Sequence, residues 1–132
     1  MSRENLEVVR RVAAAFEQGG FEAVREHFHP QIEWHEDPSF PESGIYHGLQ
    51  AVEAYGEQFM SEFATIHYEP GEMLDSGDHV VTKMSIKGVG RASGASFEVS
   101  AWWAMTFRDG KIIRGYAYLD RDRALEAVGL RE

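Results

Sequence analysis

Phe97-Glu98-Val99-Ser100-Ala101-Trp102-Trp103-Ala104-Met105-Thr106-Phe107-Arg108-Asp109-Gly110-Lys111-Ile112-Ile113-Arg114-Gly115-Tyr116-Ala117-Tyr118-Leu119-Asp120 holds aromatic-rich runs on both sides of an Asp-Gly pair. Asp-Gly supplies the positive φ angles of a tight hairpin turn, so Phe97 to Phe107 and Lys111 to Leu119 read as paired antiparallel strands. Upstream, Ile66 to Leu74 and His79 to Gly88 flank a turn at Asp75-Ser76-Gly77-Asp78, which makes four strands in meander order. Between them and the hairpin, Gly88-Val89-Gly90-Arg91-Ala92-Ser93-Gly94 is too glycine-rich for a strand interior and reads as a connection or strand end.

Helices precede the strands. Leu6, Val9, Val12, Ala13 and Phe16 recur at helical spacing among charged residues, and Gly19-Gly20 stops the pattern. Phe21 to Phe28 makes a second short helix, which Pro30 breaks, and Ile32 to Asp37 reads as a brief strand. A loop punctuated by Pro38, Pro41, Gly44 and Gly48 leads to a third helix from Leu49 to about Ala64, with Val52, Tyr55, Phe59 and Phe63 on one face. Asp120 stands where an N-cap belongs, ahead of a short helical tail over Arg121 to Val128. This pattern is an α+β domain in which helices cover one face of a curved sheet.

The 132 residues suit one domain spanning 1–132, large enough for a real core. Thirteen Lys plus Arg against twenty-two Asp plus Glu give a net charge of −9, which repels nucleic-acid phosphates and anionic membrane surfaces. The absence of cysteine removes disulfides, thiol nucleophiles and thiolate zinc sites. The first residues pass into a charged amphipathic helix with no apolar signal core, and no run approaches membrane-spanning length, so the expected location is the cytoplasm. There is no glycine-rich phosphate loop, dinucleotide fingerprint or nucleophile-elbow serine, and no nucleotide or flavin cofactor is implied. His27 and His29 have no third ligand at recognisable spacing, so no metal site is expected.

The order of elements, with Phe28-His29-Pro30, Trp34-His35-Glu36-Asp37-Pro38, Tyr46-His47-Gly48, Phe107-Arg108-Asp109-Gly110-Lys111-Ile112 and Tyr118-Leu119-Asp120, resembles the SnoaL-like branch of the nuclear transport factor 2-like superfamily across essentially the whole chain. The resemblance implies a cone-shaped curved antiparallel sheet covered by three N-terminal helices, a cystatin-like α+β barrel. Its mouth would hold a small apolar or polycyclic organic ligand, and homodimers would pair through the outer sheet face. Superfamily members include polyketide cyclases, ketosteroid isomerases, epoxide hydrolases, dehydratases and non-catalytic proteins, so fold does not choose the reaction.

Alternation and helical spacing nominate Val12, Phe16, Val52, Tyr55, Phe59, Met84, Ile86, Trp103, Met105 and Phe107 for the cone interior. On the last strand Gly115, Ala117 and Leu119 would face them, small residues that leave room for a ligand held by Trp34, Tyr55, Phe59, Met84, Trp103, Met105 and Ala117. The polar candidates for catalysis are His35 and Asp37, two apart on a short strand and so on one side. An apolar site would raise the carboxyl pKa and make a proton acceptor, with the imidazole as relay. Glu36-Asp37-Pro38 resembles the segment carrying the base of ketosteroid isomerases, with Asp37 on that base. The segment ahead is one residue longer, which would turn Trp34 and Glu36 inward instead.

Other family positions depart from the pattern. The oxyanion donors of a ketosteroid isomerase fall on Val12 and Trp103, and the histidine and acid of the aldol cyclases on Trp103 and Ala117. Cofactor-independent isomerase, cyclase or lyase chemistry would therefore rest on Asp37 or His35, and the alternative is a binding or dimerisation module without turnover. Trp102, Tyr116 and Tyr118 occupy the outer face of a sheet expected to lack helical cover there, which nominates them for the homodimer contact.

Overall fold

The computed structural model describes residues 2–39 and 44–130. Pro41 of the expected loop lies outside them. The elements are α1 (Ser2–Val24), β1 (Phe28–Glu36), β2 (Gly44–His47), α2 (Leu49–Ser61), β3 (Phe63–Ser76), β4 (His79–Gly90), β5 (Ser96–Arg108), β6 (Lys111–Tyr118) and α3 (Arg121–Ala127). Helical geometry within α1 breaks at Gly20, whose φ of 65° suits glycine, and one 3-10 turn over Arg25–His27 leads into β1. The two halves of α1 and α2 are the three helical stretches on the concave side of a curved α+β sheet.

The sheet has six strands in the order β2-β1-β6-β5-β4-β3. β3 to β6 form the expected antiparallel meander, and the β5–β6 turn carries positive φ at both Asp109 (54°) and Gly110 (79°), as the hairpin requires. β1 adds to β6 in parallel, and β2 pairs antiparallel on its far side. Among the departures from expectation, β3 starts at Phe63, not Ile66, and the helix expected over Phe21 to Phe28 ends at Val24. β1 starts at Phe28, not Ile32, because Pro30 sits in a stretch where the β1–β6 register shifts and demands no ladder N–H. β2 is an additional strand of four residues. α2 ends at Ser61, where Arg91 donates from Nε to the Ser61 carbonyl and from Nη2 to that of Phe63, each at 3.0 Å.

Two apolar clusters hold the layers together. The inner one joins Val9, Val12, Ala13, Phe21 and Val52 from the helices to Ile32, Trp34, Met84, Ile86, Trp103, Met105, Phe107, Ile112 and Ala117 from the sheet. Gly115 does face inward, but a Cβ there would lie 2.4 Å from the Trp34 ring, so the room that glycine leaves is taken by Trp34. Leu119 does not face inward: it follows the end of β6 and is 42% exposed.

The second cluster lies on the outer face. Asp120 caps α3 by accepting the Asp122 N–H at 2.9 Å, and Ala124, Leu125 and Val128 then bury against Val81 and Ala104. Trp102, Tyr116 and Tyr118 pack against this cluster, with the Arg121 and Arg123 guanidinium groups 5.6 and 5.2 Å from the Trp102 and Tyr118 ring centres. The expectation of an uncovered outer face is thus corrected: the chain's own tail half-buries these aromatics. No helix among the described residues is long and apolar enough to cross a membrane.

Candidate functional site

The interior is organised by β1. Side chains alternate along a strand, and Ile32, Trp34 and Glu36 take the concave face while Glu33 and His35 take the outer one. Trp34 lies opposite Gly115 of β6 and Tyr46 of β2, and Glu36 lies opposite Ala117, itself paired with Trp103. The Trp34 ring meets Trp103 edge-on with centroids 5.9 Å apart, and its indole N–H donates to Glu36 Oε2 at 2.5 Å. A carboxylate is so held at the end of a wall of aromatic rings.

Tyr68 closes the wall from β3. Its side chain is buried, its ring centre 5.8 Å from that of Trp103 and 5.5 Å from that of Phe16, and its hydroxyl contacts the Met60 sulfur at 3.9 Å. Burial, and then the negative charges of Glu36 and Glu17, push the phenol's pKa well above its ordinary value, so Tyr68 stays a neutral donor. Glu17 of α1 fixes this part of β3 by accepting the Tyr68 backbone N–H at 2.9 Å and pairing with His67 at 3.0 Å. Beside Trp34, Tyr46 and Tyr55 stack with centroids 4.3 Å apart, and Phe59 continues the series. A depression of about 300 Å³ opens among Tyr46, Ala51, Ala54, Tyr55, Gln58 and Phe59.

His35 and Asp37 stand elsewhere. His35 is on the outer face, stacked on Tyr116 at 4.4 Å, with Nε2 2.7 Å from Glu33, whose other oxygen is 3.1 Å from His47 Nδ1. The His35 hydrogen bond holds the Glu33 carboxyl below its usual range against the opposing effect of burial. Asp37 is buried but past the strand. It accepts the Ser39 N–H (2.9 Å), the Ser39 hydroxyl (2.7 Å) and the Leu119 N–H (2.9 Å). Burial alone would raise its pKa, yet these donors and the Arg123 charge outweigh it and leave the pKa lowered. The raised carboxyl anticipated for Asp37 is therefore corrected, and of the two facings of the strand left open by the sequence it is Trp34 and Glu36 that point inward.

Of the nominated ligand residues, Trp34, Met84, Trp103, Met105 and Ala117 are buried in the inner cluster, with Tyr55 and Phe59 half-buried at its edge. Val12 and Trp103, where oxyanion donors were looked for, also belong to that apolar cluster. Tyr68 was not foreseen, though its pairing with the inward-facing Ile86 gives its side. Among the described residues no group of His, Asp or Glu is arranged to hold a metal ion; His29 Nδ1 accepts the Gln31 N–H at 3.0 Å.

Solved structures share this fold. An NTF2-like protein from Burkholderia xenovorans is 26% identical over 96% of both chains, with a TM-score of 0.75. A Catenulispora acidiphila protein of ketosteroid isomerase-like fold, in complex with trimethylamine, is 18% identical over 95% of this chain and 94% of its own, with a TM-score of 0.76. TerC, co-crystallised with polyporic acid, is 21% identical over 89% of this chain and 92% of its own, with a TM-score of 0.77. No curated protein matches the sequence. The family model of the SnoaL-like domain matches residues 9–115. Matched over most of its length and folded as that family folds, the chain belongs to the SnoaL-like domain family.

Proposed function

We propose that the protein binds a small, mostly apolar organic molecule against the concave face of its sheet and moves a proton on it without a cofactor. Glu36 is the proton acceptor and the Tyr68 hydroxyl the hydrogen-bond donor. The observation that carries this reading is the Glu36 carboxylate, held on the aromatic wall by the Trp34 indole while its charge helps keep Tyr68 neutral. The co-crystallisation of TerC with polyporic acid and the trimethylamine complex of the Catenulispora protein support small-ligand binding. In this reading the isomerase, cyclase or lyase chemistry expected of Asp37 or His35 passes to Glu36. Asp37 shapes the end of β1, and His35 serves the outer face.

The test is proton exchange of a weak carbon acid, cyclohex-3-enone, in D2O followed by NMR. Glu36→Gln should abolish catalysed exchange and Tyr68→Phe should slow it about a hundredfold, with binding of the ketone retained in both. Binding without exchange in the wild-type protein would favour the non-catalytic module. The same proposal places the protein in the cytoplasm as a homodimer, with the contact on the part of the outer face that α3 leaves open, around His35 and the 53% exposed Ile45.

A further inference from the structure

The charge of the ligand follows from what lines the interior. Every described lysine and arginine is exposed except Arg121, and that one lies half-buried over Trp102 on the opposite face of the sheet. The concave face contributes the Glu36 carboxylate and the rings of Trp34, Trp103, Tyr68, Tyr46 and Tyr55. Aromatic faces are the negative ends of ring quadrupoles, so rings and carboxylate favour the same sign of guest. Tyr68, whose pKa is raised by burial first and then by the charges of Glu36 and Glu17, stays neutral beside them and adds no positive group to the wall. A net charge of −9 extends the negative potential into the surrounding solvent.

We infer that the ligand is a small organic cation, an alkylammonium with an apolar body, whose charged nitrogen lies against the tyrosine and tryptophan faces with Glu36 as counter-ion. The depression between β2 and α2 shares Tyr46 and Tyr55 with the aromatic wall. An anion would meet a carboxylate and no buried base among the described residues. This inference rests on the reading of the interior as a binding site. It also deepens that reading, because a cationic nitrogen acidifies the C–H bonds beside it.

Three probes of one shape separate charge from fit: choline, its neutral isostere 3,3-dimethylbutan-1-ol, and the anion 3,3-dimethylbutanoate. Titrations followed by the indole N–H signals should show choline binding about tenfold more tightly than the alcohol, with the anion weakest. Glu36→Gln, nearly isosteric and still able to accept from Trp34, should shrink that preference. Tyr55→Leu, at a half-buried site, should weaken choline more than the alcohol. Equal or tighter binding of the alcohol, or a preference unchanged in Glu36→Gln, overturns the cationic ligand while leaving the binding site in place. Binding of none of the three overturns the binding site and the cation together.

Discussion

Asp37 is only 3% exposed, yet two backbone N–H groups and one hydroxyl serve its carboxylate. Its lowered pKa has a definite sign for stability. A carboxyl depressed in the folded state adds stability above its unfolded pKa of about 3.9 and loses it as pH falls through the folded value. Asp37→Asn should cost about 1.5–3 kcal/mol at pH 7, with the gap from wild type closing in acid. Urea unfolding of both proteins at pH 7 and below pH 4 measures this; a constant gap would mean the charge is irrelevant. Gly115 offers a second residue-scale test. The Trp34 ring that a new Cβ would strike is buried and tied through its N–H, so it has little freedom to move. Gly115→Ala should destabilise by about 1–3 kcal/mol in thermal melts and disturb Trp34 fluorescence.

Individual elements differ in how openly the sequence announces them. The β5–β6 hairpin was legible because Asp109-Gly110 encodes the turn and long alternating runs fix each side. β2 was hidden, since four residues behind Gly44 and before Gly48 look like loop punctuation. The facing of β1 was open to a one-residue difference of register, and with a side-chain period of two that single step decides between His35 with Asp37 and Trp34 with Glu36. The tail helix was visible from Asp120 onward, but its landing place was not, because packing partners are not encoded in local spacing. α3 rests on the nearly inaccessible Leu125, so Leu125→Ala should cost about 2–5 kcal/mol. It should also expose Trp102 and Tyr118, seen as faster indole quenching and lost chevron stability.

At the scale of the molecule, the outer face is divided between the part under α3 and the part beside it, where Ile45 pairs with His35 at the sheet edge. A second copy seated on that open part would bury Ile45. Analytical ultracentrifugation should therefore give a dimer for the wild-type protein and a monomer for Ile45→Glu, with unchanged helix and sheet signals; an undiminished dimer would move the contact elsewhere. The fold class was readable at this scale because helix-then-meander order leaves few ways to cover a curved sheet. The interior chemistry was less so, because it depends on which side chains two distant strands bring together.

The parallel joint between β1 and β6 also sets the order of events when the chain is made. Glu36 and Ala117 become neighbours only after the last strand exists, and the Asp37–Leu119 hydrogen bond spans 82 positions. Contacts of such separation slow folding, because a long loop must close before they form. Until β6 emerges, β1 has no strand on that side and Trp34 no Gly115 to pack on. The aromatic wall is thus completed late, and until β6 emerges the nascent chain carries a tryptophan-bearing strand paired on one side only.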